Sequence, residues 1–168
     1  MRTIYIDMDG VVADFDTFVS TLLERPIGWG TTSDLSDEEW KKLASVENLY
    51  FKLPMMPDAT KLVAYIKSLN TRFHVEFLTA IPRRTTIPSA QADKQAWITK
   101  YFPGMKMNIG PYSHDKQKWC TPGDILIDDR PSNIEQWTAA GGIAVYHTGD
   151  VDATIKYLNK VIINELRF

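Results

Sequence analysis

The sequence predicts an α/β domain built on a parallel sheet, and three observations lead there. Short apolar runs without alternation recur along the chain, as strands covered by helices on both faces require. After the first sixty residues these runs alternate with segments of helical period. Acidic and hydroxyl residues collect where the runs end rather than inside them.

Each element has its own signal. Thr3 to Met8 reads as a short buried strand, with Ile4, Tyr5 and Ile6 in a row. Phe15, Phe18, Val19, Leu22 and Leu23 then fall at i, i+3, i+4, i+7 and i+8, the apolar stripe of a helix. Pro26, Gly28 and Gly30 break it. Ser36 with Glu39 forms a capping box that opens a polar helix around Trp40 and Leu43. Pro57 starts a further helix with Leu62, Val63, Ile66 and Leu69 on one face and Asn70 at its end. "FHVEFLT" is the second strand, and Pro88 and Ser89 precede a helix through Trp97, Ile98 and Tyr101. "MKMNI" is the third strand, Ser113 to Trp119 a short helix, and "DILIDD" the fourth strand. "NIEQWTAA" is helical, Gly141 and Gly142 end it, and "IAVYH" is the fifth strand. A last helix covers about Asp152 to Glu165.

The stretch from Gly28 to Leu53 falls outside this alternation. The expected organisation is a single Rossmann-like domain, its core at about 1–16 and 56–168. A small helical cap at about 17–55 follows the first strand.

Composition narrows the function classes. The chain has 168 residues, enough for one self-sufficient core without staples. Its formal net charge of −2 argues against an extended nucleic-acid track or an anionic membrane surface. Cys120 is the one cysteine, so no internal disulfide can form, which fits a reducing cytoplasm. No signal-peptide pattern precedes the first strand, and no apolar run reaches the length of a membrane span. A soluble cytoplasmic enzyme is the expectation.

Chemistry is sought where parallel sheets place it, outside the carboxyl ends of the strands. The first strand ends in Asp7-Met8-Asp9-Gly10, the second in Thr79-Ala80, the fourth in Asp128-Asp129-Arg130. "DKQK", just before the fourth strand, offers Lys116 and Lys118. Alone, each piece is bland: DxDG is a turn, Asp128-Asp129 a helix cap with Asn133, Thr79 a strand end, the lysines a solvated face. A calcium loop fails, because Gly10 comes too early and the twelfth residue from Asp7 is Phe18. Together the pieces put four acids, a hydroxyl and a lysine on one rim. Clustered like charges need a counter-ion, and Mg²⁺ with its preference for oxygen ligands is the natural one.

"DMDGVVADF", "FLTA", "DKQK" and "ILIDDRPSN" resemble, in order, the four motifs of the haloacid dehalogenase-like superfamily. With "NLYFKLPMMPDA", "KQAWITKYF" and "LIDDRP", the chain more closely resembles the 5'(3')-deoxyribonucleotidases. The resemblance implies a HAD-like fold and a Mg²⁺-dependent phosphatase of (deoxy)nucleoside monophosphates working through an aspartyl-phosphate. It makes Asp7 the nucleophile and Asp9 the general acid and then base. Mg²⁺ is assigned to Asp7, the Asp9 carbonyl and Asp129, with Asp128 acting through water or Lys116. Thr79 and the Ala80 amide are to hold phosphate oxygens, Lys116 to neutralise the phosphate, and Lys94 and Phe15 to lie beside the substrate. The +2 spacing agrees: it lets Asp7 face phosphorus while Asp9 faces a leaving alkoxide, a second acid that a dehalogenase does not need.

The sequence departs from the family at Ala80, where a serine is usual, and in the cap, where Trp29 and Trp40 are candidates to stack on a base. Lys118 remains an alternative to Lys116. Lys116 is preferred because helical spacing puts it on one face with Trp119 and Cys120. The expected partner is a small nucleotide, with room for a homodimer and no membrane. A sugar phosphate, a nucleic-acid terminal phosphate or a non-catalytic binding role remain the alternatives. His74, His114 and His147 lack metal-ligand spacing. Cys120, Trp97 and Trp137 read as packing residues, Arg83 and Arg84 as a solvated loop, and Arg130 as a partner of nearby acids.

Overall fold

The computed structural model describes residues 1–28, 35–83 and 86–165. Five strands, β1 (Thr3–Ile6), β2 (His74–Ala80), β3 (Met107–Gly110), β4 (Ile125–Asp128) and β5 (Ile143–Tyr146), form one sheet in the order β3-β2-β1-β4-β5. Every pairing is parallel. β1 is central, between β2 and β4, so the strand order reverses on either side of it. That switch point opens a crevice above its carboxyl end.

Six helices accompany the strands among the described residues: α1 (Phe15–Leu23), α2 (Asp37–Ala44), α3 (Ala59–Lys67), α4 (Ala90–Tyr101), α5 (Pro131–Ala139) and α6 (Val151–Glu165). The apolar runs are buried on both sheet faces, as their lack of alternation requires. Ile4, Ile6, Phe77, Ile125 and Ile127 pack in the main cluster, while Tyr5, Leu78 and Leu126 meet Trp137 on the opposite face. Trp97 and Trp137 are both fully buried, the packing role expected of them.

Local chemistry sets the element ends. Ser36 and Glu39 form the reciprocal capping box at α2. Pro131 occupies the first turn of α5, where a missing N–H costs nothing. β1 stops at Ile6, two residues short of the expected strand. Met8 turns the chain there: its carbonyl accepts from the amides of Val11, Val12 and Ala13.

The segment 113–119 is a 3₁₀ helix rather than an α-helix. Trp119 is exposed although Lys116 is buried, so an apolar face shared with Trp119 is not what turns Lys116 inward.

Between α1 and α3 the described residues hold α2 and a 3₁₀ turn at Tyr50–Lys52. The two passages joining this segment to the sheet are laced together. Asp14 N–H donates to Pro54 O at 2.8 Å and Met56 N–H to Val12 O at 2.8 Å. Among the described residues no helix is long and apolar enough to cross a membrane.

Candidate active site

The crevice above β1 is a cavity of about 540 Å³, within the range of small-ligand sites. Asp7 lies at its floor, one residue past β1, its own N–H still bonded to Ile127 O at 2.9 Å. Asp7 Oδ1 accepts from Met8 N–H at 2.7 Å and from Lys116 Nζ at 2.7 Å. Its other oxygen receives no hydrogen bond from a described residue. Gly10 follows with φ +78°, a left-handed conformation that glycine adopts freely. The glycine is also needed for space: a Cβ there would stand 2.1 Å from Asp129 Oδ2.

Asp128 ends β4 and is fully buried. Its Oδ1 accepts from Arg130 N–H at 2.9 Å and Asn133 Nδ2 at 2.9 Å, and its Oδ2 from Lys116 Nζ at 2.7 Å. Asp128 thus anchors the start of α5 and holds Lys116. Asp129, one residue on, is on the cavity wall, and no described residue donates to its carboxylate. This division of labour suits Asp129 to a direct metal contact and Asp128 to an indirect one.

Lys116 is 2 % exposed and bridges Asp7 and Asp128. Burial lowers its proton affinity, but the carboxylates of Asp128 and Asp7 outweigh burial and the net effect is upward. Lys118 lies on the surface and pairs with Asp115. Of the two lysines left open by the sequence, only Lys116 reaches the acids.

Asp7, Asp128 and Asp129 can each bring one oxygen within 4.8 Å of the others. Three buried carboxylates face one buried ammonium, and burial together with Asp7 and Asp128 pushes the Asp129 carboxyl up to about 8. An all-oxygen donor set with surplus negative charge is what a hard divalent cation fits.

Asp9 lies at the cavity edge with its side chain about a third exposed (31%). Its Oδ2 pairs with Lys94 Nζ at 2.6 Å, and its Oδ1 is buried without a hydrogen-bond partner among the described residues. Phe15 is on the wall and stacks on Tyr50, ring centroids 5.7 Å apart. Ala80 is also on the wall, whereas Thr79 and Lys94 stand behind it, both with no exposed surface. Trp40 lines the cap side of the cavity; Trp29 and Arg84 lie outside the described residues.

Three features are not foreseen. Tyr50 lines the cavity, although "NLYF" had carried no individual role. Asn133 holds Asp128 through its side chain, for which "DDRPSN" gives only a helix-cap signal. Arg83, read as a solvated loop residue, lines the cavity, as does Arg130.

Residues 1–156 match the family described as 5' nucleotidase, deoxy (pyrimidine), cytosolic type C protein (NT5C). The chain belongs to this family. It is therefore a nucleotidase-type phosphatase of the HAD-like class, as the four motifs led one to expect. Among solved structures, a hydrolase from Streptococcus pneumoniae TIGR4 superposes with a TM-score of 0.52 over 94% of this chain and 98% of that one. At 15% identity that likeness speaks for the fold alone. No curated protein matches the chain.

Proposed function

We propose that this member of the nucleotidase family is a Mg²⁺-dependent phosphatase of (deoxy)nucleoside monophosphates, acting in the cytoplasm on a small soluble substrate. One observation carries the reading. Asp7 and Asp9, two residues apart, line one cavity, Asp7 paired with Lys116 and Asp9 with Lys94.

In this reading the phosphate settles over Asp7, against the backbone at Ala80 and the Lys116 ammonium. Asp7 attacks phosphorus through the carboxylate oxygen that Lys116 does not hold. The bond from phosphorus to the ester oxygen breaks, and Asp9 gives its proton to that oxygen. Asp9 then takes a proton from water, the water attacks phosphorus, and phosphate leaves Asp7. One hydrolysis is thus divided into two steps, and proton delivery by a placed acid contributes about 10²–10⁴-fold. Asp7, Asp129 and the Asp9 carbonyl would hold Mg²⁺, with Asp128 through water. Bound there, the cation removes repulsion between the nucleophile and the phosphate. Phe15 and Tyr50 offer an apolar face to the nucleoside, and the segment 17–55 is its cap.

Phosphate release from a panel of nucleoside monophosphates, sugar phosphates and 5'-phosphorylated oligonucleotides, with and without Mg²⁺, tests the reading. It expects the deoxynucleoside monophosphates to react best and only with the metal. Preference for a sugar phosphate or an oligonucleotide end would replace the substrate but keep the chemistry.

A further inference from the structure

Lys94, one turn inside α4, has no exposed surface. An ammonium has three N–H donors and no acceptor. All three are engaged: with Asp9 Oδ2 at 2.6 Å, Thr79 Oγ1 at 2.9 Å and the Ala80 carbonyl at 2.8 Å. The Tyr50 ring closes another side, its centroid 4.6 Å from Nζ. No donor is left for a phosphate oxygen, and Lys94 is absent from the cavity wall. Thr79 belongs to the same support, since its one hydroxyl hydrogen points to the Ala80 carbonyl at 3.3 Å.

The two oxygens of Asp9 are consequently unlike. Oδ2 is tethered, while Oδ1 is buried with no partner among the described residues.

We propose that Lys94 is a positioning residue that works through Asp9, not a substrate ligand as the family resemblance implies. By pairing with Oδ2 it fixes the carboxyl group that carries the travelling proton. The proton moves from that carboxyl group to the ester oxygen as the phosphorus–oxygen bond breaks; Lys94 itself neither gives nor takes one. The inference rests on the phosphatase reading of Asp9.

Leaving-group chemistry tests it. A nucleoside alkoxide needs a proton as it departs, whereas p-nitrophenolate leaves without one. In Lys94→Met, kcat on a deoxynucleoside 5'-monophosphate should fall about 10²-fold, the scale of a misplaced catalytic group, with KM within about threefold. On p-nitrophenyl phosphate the first-turnover release of p-nitrophenolate, which precedes the step in which Asp9 takes a proton from water, should slow less than about threefold in the same variant. In the Asp9→Asn background, adding Lys94→Met should cost nothing further, because residues acting as one unit are not additive. A tenfold rise in KM with kcat kept would overturn the proposal. So would a loss in first-turnover p-nitrophenolate release as large as the loss on the nucleotide, or a further tenfold loss in the double variant. Should Lys94→Met unfold, Lys94→Gln takes its place and the same contrast decides. Wild-type protein inactive on both substrates would overturn the phosphatase reading and this inference with it; failure of the inference alone shows only in the Lys94 variants.

Discussion

Replacing Lys116 by methionine tests how the acidic floor is held together. Lys116 Nζ is 2.7 Å from both Asp7 Oδ1 and Asp128 Oδ2, and all three side chains are buried. At an effective dielectric constant near 20, each contact is about 6 kcal/mol of gross attraction. Burying the ions costs several kcal/mol each, so the net value of the cluster is far smaller. Removing one partner has the larger effect, because Asp7 and Asp128 then face each other and Asp129 without a cation. That loss is about 3–5 kcal/mol, against a total stability of about 5–15 kcal/mol for a domain.

The raised proton affinity of Lys116 means its contribution is complete below the ordinary lysine value and lost only at more alkaline pH, so neutral buffer shows the full effect. The raised Asp129 carboxyl runs the other way. Its burden on the fold grows as pH climbs from its ordinary 3.8 toward about 8. Urea unfolding without Mg²⁺ is the assay. With a slope near 2 kcal/mol per molar, the midpoint should drop by about 1.5–2.5 M. A midpoint within about 0.3 M of wild type would refute the electrostatic account of the site.

Gly10→Ala forces a side chain into φ +78° and against Asp129 Oδ2; urea midpoints should show a loss of about 2–4 kcal/mol, and an unchanged midpoint contradicts the packing described. If the donor set holds Mg²⁺, the ion at about 100 times its dissociation constant should add about 2.7 kcal/mol, or about 5–10 °C in melting temperature. Asp129→Asn should abolish that shift, and its persistence would relocate the ion. Hydrogen bonds from Arg25 and the Ser36 backbone lower the Glu39 carboxyl to about 2 from its ordinary 4.5. Its stabilisation is present above pH 4.5 and lost as pH falls toward 2, so Glu39→Gln should flatten acid unfolding in that window; parallel curves would contradict it.

Much of this was legible in the sequence because local rules determine it. Apolar runs without alternation mark strands covered on both faces, and β1, β2 and β4 came out so. The Ser36–Glu39 box and the Asp7-Met8-Asp9-Gly10 turn depend on residues a few positions apart. What spacing does not carry is the environment across elements. The choice between Lys116 and Lys118 rests on acids from β1 and β4, which no periodicity within 113–119 reveals. Lys94 is 85 residues from Asp9 in sequence, so its ion pair shows only once tertiary packing brings α4 to the turn after β1. Thr79 behind the wall and Tyr50 on it are likewise consequences of tertiary packing.

The central claim is that Asp7 attacks phosphorus. The direct measurement is Mg²⁺-dependent phosphate release from a deoxynucleoside monophosphate by wild type and Asp7→Asn, both shown to be folded. The account predicts release by the wild type and none by the variant, whose amide oxygen is a poor nucleophile. Release by Asp7→Asn at the wild-type rate would contradict it.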